Sequence, residues 1–251
     1  MIFDTFPINN ELDMLECRLM ELESVPNLVH VAVEADVDHQ DHLKPFWLSE
    51  NLDRFEQWAD RLHVVRATGL PSAAAFPDPW AREHAQREYT GPALHELGAV
   101  PDDVVLHGDL DEIPSALVVR NVRPRGMVAF EQRGHFWSLL WRYPIPWRGT
   151  VAGRVAGVRS FARMRDARNV APPLRDAGWH LSWLGGPEVA KAKVGSFCHP
   201  EVLDRIVDGL EGNTFLEAGV HVDGVKMERC DVDDSFPRYV REGRCPASWL
   251  I

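Results

Sequence analysis

Within the first 110 residues, amphipathic helical stretches alternate with short runs of branched apolar residues. That alternation restricts the possible folds more than any other feature of the chain. Leu12, Leu15, Leu19 and Leu22 recur at three- and four-residue spacing in NNELDMLECRLMELES, with Asn10 placed as an N-cap and acids in the first turn. NLVHVAVEA, LHVVRA and DVVLHGD read as strands. ENLDRFEQWADR reads as a second helix, and FPDPWAREHAQREYTGPALHELG as a helix opened by Asp78 and Pro79. Strands that are apolar almost throughout, rather than at every second residue, are covered on both faces. This predicts crossover units and a mostly parallel, Rossmann-like α/β sheet flanked by helices. In the second half MVAFEQ, HFWSLLWRYP and GWHLSWLG read as strands, and PEVLDRIVDGLEG as a late helix. No linker-like run divides the chain, so one domain is expected over residues 1–251, its halves meeting near residue 115. Trp137, Trp141, Trp147, Trp179 and Trp183 crowd the second half, as core filling or as an apolar platform for a ring.

A formal net charge of −11 excludes a protein whose whole surface attracts nucleic acid, although arginines concentrate between Arg120 and Arg175. The four cysteines show neither a C-x-x-C pair nor zinc-ligand spacing. The N-terminus lacks a basic segment followed by an apolar run, and no stretch approaches the ~20 apolar residues of a membrane span. A soluble, cytoplasmic protein is the expectation.

Asp-x-Asp occurs three times: Asp36/Asp38, Asp109/Asp111 and Asp231/Asp233. The last lies in a polar run with no strand before it and reads as solvated surface. The first two follow apolar strands, and open α/β sheets bind ligands beyond the carboxyl ends of their strands. EADVDHQDH adds His39 and His42 to Asp36 and Asp38, a set suited to a metal-dependent phosphoesterase. HGDLDEIP is tighter, because Gly108 permits a close turn and Pro114 ends any continuation. Residues two apart in extended chain project to one side, so Asp109 and Asp111 can face one ligand. Two hard oxygen donors suit Mg²⁺ or Mn²⁺ completed by a substrate's phosphates, and helix capping or salt bridging is the alternative use of these acids.

DTFPINNELDMLECRLMEL, DPWAREHAQR, DVVLHGDLDEIPS, GWHLSWLGGPE and KVGSFCH, in this order, resemble the family 17 glycosyltransferases, typified by β-1,4-mannosyl-glycoprotein N-acetylglucosaminyltransferases. The resemblance implies a GT-A fold, a nucleotide-sugar donor such as UDP-GlcNAc, a divalent cation (Mn²⁺ or Mg²⁺) and inversion at the anomeric carbon. It makes residues 1–115 the nucleotide-sugar-binding half and 116–251 the acceptor side. It places the metal at DLDEIP, with Asp111 as direct ligand, Asp109 toward the ribose or a second water, and His199 in SFCHPE as a further ligand. The family's Golgi members carry a membrane anchor and stem that this sequence does not show, and GNTFLEAG lacks an arginine expected there. The acceptor hydroxyl is therefore expected on a glycan, a polysaccharide, a small molecule or a modified DNA base.

Other residues follow from position. Asn10 and Glu11 after the first strand, and Glu34 at the end of the second, are candidates to contact the nucleotide, or to cap helices. Arg82 near a helix start is placed to reach a phosphate or to pair with Glu83, and Lys193 to pair with phosphate. Glu188, following WHLSWLGG at a helix start, is the first candidate for the base that deprotonates the acceptor. His180, beside Trp179 and Trp183, is the rival base or an acceptor contact.

Overall fold

A computed structural model describes residues 1–38, 41–72, 74, 78, 80–186, 189 and 218–251. In chain order the elements are β1 (Ile2–Ile8), α1 (Leu12–Leu22), β2 (Leu28–Ala35), a 3₁₀ helix (Ser49–Trp58), β3 (Leu62–Ala67), α2 (Trp80–Glu88), α3 (Thr90–Glu96), β4 (Val104–His107) and β5 (Glu112–Pro114). There follow α4 (Ala116–Asn121), β6 (Val128–Phe136), β7 (Trp141–Arg142), β8 (Trp147–Arg154), α5 (Phe161–Asp166), a 3₁₀ turn (Ala167–Asn169), β9 (Pro173–Leu174) and β10 (Gly178–Ser182). The tail holds β11 (Glu228–Arg229), α6 (Arg238–Arg241) and a last 3₁₀ turn (Ala247–Leu250).

β1 lies at the centre of the first half, parallel to β2 on one side and to β4 on the other, with β3 parallel to β2. The helices between these strands supply the crossovers that parallel pairing requires. Seven of the eight residues of β2 are buried, which explains its nearly unbroken apolar run. Beyond β4 the pairing reverses: β8 is antiparallel to β4, and β6 antiparallel to β8. β10 runs parallel to β6 and antiparallel to β5. The sheet is therefore mixed rather than mostly parallel, since β6 and β8 are joined by a short reversal through β7 instead of a helical crossover. The registers of β1 with β2 and β4 bring Ile8, Glu34 and His107 to one edge, and Asp109 follows on that edge.

Several expected elements differ in detail. The second helix is a 3₁₀ helix with a non-helical residue at Asn51, and the long third helix is divided into α2 and α3 around Tyr89. HFWSLLWRYP is not one strand. Trp137 takes φ +70°, its N–H donates to the Ser182 carbonyl, and the chain turns before re-entering the sheet as β7. The expected late helix at PEVLDRIVDGLEG lies outside the described residues.

The core nearest the upper sheet edge joins both ends of the chain. Met14, Leu15 and Leu19 of α1 pack with Phe55, Trp58, Leu110 and Ile113, and with Phe236, Tyr239, Val240 and Trp249 of the tail. Each fully buried Leu or Phe side chain stabilises such a cluster by about 1.5–3 kcal/mol relative to exposure. Polar contacts fasten the tail: the Arg238 N–H donates to Glu21 (3.1 Å), and Arg244 pairs with Glu16 (2.7 Å).

Candidate active site

The site stands on a buried ion pair. Asp4 in β1 and Arg18 on the inner face of α1 are both fully buried, and Arg18 donates Nε and Nη2 to the two carboxylate oxygens at 2.9 and 2.7 Å. Burial opposes the charge on Asp4, but Arg18 and the His30 ring at 2.9 Å hold its carboxyl well below the usual range. The remaining nitrogen of Arg18, Nη1, donates to the carbonyls of Asp109, Leu110 and Glu112 at 2.9, 3.1 and 2.9 Å. One guanidinium thus fixes the backbone of the whole acidic turn, using the planar fork of donors that lysine lacks.

The turn closes on itself. The Glu112 N–H donates to the Asp109 carbonyl (3.1 Å), and the Asp109 N–H donates to Glu112 Oε2 (3.0 Å). Glu112 is completely buried and is satisfied from above: Oε1 accepts from Trp147 Nε1 (2.8 Å) and Arg165 Nη2 (2.6 Å). Thr150 Oγ1 donates to its carbonyl at 2.9 Å. Gly108 is required by this closeness, because a Cβ there would stand 2.6 Å from Thr150 Oγ1 and 2.8 Å from Glu112 Oε2.

Asp109 is 35% exposed, and both its oxygens are taken by arginines, Oδ1 by Arg87 of α2 (2.5 Å) and Oδ2 by Arg165 of α5 (2.6 Å). Burial works against its charge, yet the two guanidiniums hold its carboxyl well below the usual range. Beside them His107 is pushed far down by burial and by Arg87 and Arg165, so this imidazole is neutral near pH 7. Its Nδ1 lies 2.8 Å from Thr5 Oγ1.

Asp111 faces the second half of the chain. Its carbonyl accepts from the Leu181 N–H (2.8 Å), and its Oδ1 lies 3.5 Å from His180 Nε2. His180 stacks on Trp147 with ring centres 4.3 Å apart, and its buried Nδ1 has no hydrogen-bond partner among the described residues. The wall continues through Phe136 to His221 (4.3 Å between ring centres) and Tyr143, whose hydroxyl donates to Asp223 at 2.6 Å.

The structure brings together Asp109, Asp111 and His180, while Glu188, Lys193, His199 and His39 lie outside the described residues. Asn10 does not cap α1: the cap position is Glu11, without a side-chain hydrogen bond to the helix. Glu11 instead accepts from the Asn9 N–H at 3.2 Å. Glu34 is buried and committed to the 3₁₀ helix start, accepting from the N–H groups of Leu48 (3.1 Å) and Ser49 (3.3 Å). Arg82 is also buried; its donors serve the carbonyls of Pro71 and Asp38 and the Asp41 carboxylate, so it ties the loop after β2 rather than presenting a phosphate contact. In that loop the Asp38 carboxylate accepts from the His42 N–H (3.0 Å) and meets its ring Nδ1 (3.1 Å). Sequence reasoning gave no site role to Arg18, Arg87, Arg165 or Arg168, and named Trp147 only as one of the crowded tryptophans. The arginine-rich middle of the chain was the available signal for two of them.

The hard oxygen donors of Asp111 fit a divalent cation that takes one or two carboxylates and completes its shell with phosphates, while the oxygens of Asp109 beside it are engaged by Arg87 and Arg165. Among the described residues, no three acid, histidine or cysteine side chains converge as a closed metal site. No helix among them is long and apolar enough to cross a membrane.

Curated protein sequences provide no match. Among solved structures, the chain is similar to the mannosyltransferase PcManGT of Pyrobaculum calidifontis, solved with GDP-Man and Mn²⁺. The two share 12% identity over 86% of this chain and 69% of that one, with a TM-score of 0.42. It is similar to S. aureus TarS at 12% identity over 85% of this chain and 43% of that one, TM-score 0.41. For a 4-diphosphocytidyl-2C-methyl-D-erythritol synthase the values are 12%, 69% and 88%, with a TM-score of 0.40. The family model Glycosyltransferase family 17 matches residues 1–205, a span that holds the buried Asp4–Arg18 pair, the acidic turn and its arginines. The chain belongs to glycosyltransferase family 17, and its fold is the mixed α/β sheet flanked by helices described above.

Proposed function

We propose that this enzyme transfers a sugar from a nucleoside-diphosphate donor, with UDP-sugar the first candidate, to an acceptor hydroxyl, with inversion and with help from Mn²⁺ or Mg²⁺. The acidic turn carries this reading. Arg18, Arg87 and Arg165 rigidify it at the carboxyl edge of the sheet, with Asp111 directed at His180. Asp111 would hold the cation directly, with Asp109, its two oxygens engaged by arginines, reaching it through a water or turning to the ribose. A divalent cation bound there neutralises the negative charge developing on the departing diphosphate.

The chain's own groups supply position and proton transfer. Trp147 and Arg165 hold the Glu112 carboxylate still, so the turn does not reorganise when charge appears beside it. His180 is the described candidate to take the acceptor's proton, through the buried Nδ1 that no other described residue engages. Glu188 remains the second candidate. Family membership favours this centre over the phosphoesterase reading of Asp36, Asp38, His39 and His42. The acceptor is a glycan, a polysaccharide or another hydroxyl-bearing molecule, modified DNA included.

Calorimetric titration of UDP and GDP with and without Mn²⁺, on the wild type and on Asp111→Ala, tests the proposal. Nucleotide binding that requires both the metal and Asp111 supports it. Binding that survives Asp111→Ala unchanged, or no binding of either nucleotide, refutes it.

A further inference from the structure

Three carboxylates on one turn repel an incoming diphosphate, so cations must face it in compensation. Two of the neighbouring guanidiniums are already spent. Arg87 pairs with Glu83 and Asp109, each at 2.5 Å, and Arg165 pairs with Asp109 and Glu112, each at 2.6 Å. For both, burial alone would weaken the proton's hold, and the acids beside them more than reverse it.

Arg168, in the 3₁₀ turn just after α5, is different. Its nearest acid is Glu112 Oε1 at 3.6 Å, an oxygen that already accepts from Arg165 and Trp147. Its guanidinium carbon lies over the Trp147 ring, 5.3 Å from the ring centre. It donates no hydrogen bond to any described residue, although the group carries five N–H donors. The side chain is 28% exposed, beside Asp109 at 35%, so solvent reaches the place where the turn and this fork meet. Burial first, then the like charge of Arg165, disfavours its cationic form, and Glu112 and Asp109 do not make up the difference.

An under-neutralised guanidinium, placed over an indole with its donors unspent, matches the two-pronged geometry of a phosphate. We propose that Arg168 is the anchor for the diphosphate group of the donor, binding it against the acidic turn. The assignment rests on the nucleotide-sugar reading above and adds a residue and a ligand group to it. Trp147 is then the positioning residue: it donates to Glu112 through Nε1 and presents its ring to Arg168.

The test is calorimetry of the full chain with inorganic pyrophosphate, UDP and uridine in the presence of Mg²⁺, on wild type, Arg168→Ala, Arg168→Lys and Arg163→Ala. Arg163 is an exposed neighbour on α5 and controls for loss of one positive charge. Arg168→Ala is expected to weaken pyrophosphate and UDP about ten- to a hundredfold and uridine hardly at all. Arg168→Lys should recover part of the loss, and Arg163→Ala should match the wild type. Thermal unfolding of Arg168→Ala should stay close to the wild type, since no hydrogen bond is removed. Equal pyrophosphate affinity in wild type and Arg168→Ala, no pyrophosphate binding by the wild type, or an equal loss in Arg163→Ala would overturn the assignment. UDP binding that survives Arg168→Ala overturns the assignment and leaves the transferase reading standing. An Arg168-dependent pyrophosphate site with no preference for UDP upholds the anion site and refutes the nucleotide donor.

Discussion

Replacing Arg18 with Met removes a fully buried guanidinium while nearly preserving side-chain volume. Asp4 then keeps a buried charge without its main partner, and the carbonyls of Asp109, Leu110 and Glu112 lose their shared donor. Breaking one side of a buried ion pair costs roughly 3–5 kcal/mol, which is a large share of the ~5–15 kcal/mol that stabilises a whole domain. For a chain of this length, at about 2 °C per kcal/mol, that corresponds to a fall in Tm of about 6–10 °C. Asp4→Asn alone should cost about 3 kcal/mol, because Arg18 is left as the unpaired charge. The double variant should cost about 4–5 kcal/mol rather than the sum of the singles, since neither charge is then stranded. Urea unfolding followed by circular dichroism at pH 7 measures all three, and nucleotide titration reports whether the acidic turn loosens. An Arg18→Met cost below about 1 kcal/mol, or strict additivity of the two substitutions, would show that the pair does not hold the turn.

Gly108→Ala should destabilise by about 1–3 kcal/mol and weaken nucleotide binding, because the new methyl group meets Thr150 and Glu112 within 3 Å; unfolding and calorimetry check both. Trp147→Phe removes one donor from the buried Glu112 carboxylate and should cost about 1–3 kcal/mol in urea unfolding. His135 is pushed down to about 4 by burial, despite its hydrogen bond to the Leu139 carbonyl. The unfolded chain binds that proton near pH 6.5 and the folded chain only near pH 4, so stability is complete above pH 6.5 and declines toward pH 4, by up to roughly 3 kcal/mol from this group. His30 and His107 are shifted in the same direction and steepen the decline, which unfolding across pH 4–7 will show.

The strands of the first half were legible because burial on both faces writes itself as a continuous apolar run; LHVVRA coincides with β3 residue for residue. The second half was less so. A run such as HFWSLLWRYP records hydrophobicity, whereas the left-handed turn at Trp137 depends on a hydrogen bond to Ser182, 45 residues later in sequence. The acidic turn could be seen in the sequence, since carboxylates after a strand and before a proline mark a ligand edge. Its supports could not, because Arg18 lies 91 residues from the carbonyl of Asp109 and sits on a helix where an arginine normally faces water. Arg82 shows the converse: its place near a helix start invited a phosphate role, and its contacts are with the loop after β2.

The tail that completes the α1 core also sets an order of events during synthesis. Leu15 and Leu19 emerge from the ribosome more than 200 residues before Phe236, Tyr239 and Trp249, which cover them. A nascent chain therefore carries an open apolar face on α1 until residues 236–249 have been made. The same topology makes the synthesis of residues 236–249 a checkpoint: a product stopped at residue 205 would hold every residue of the acidic turn yet lack the cover over the helix that carries Arg18.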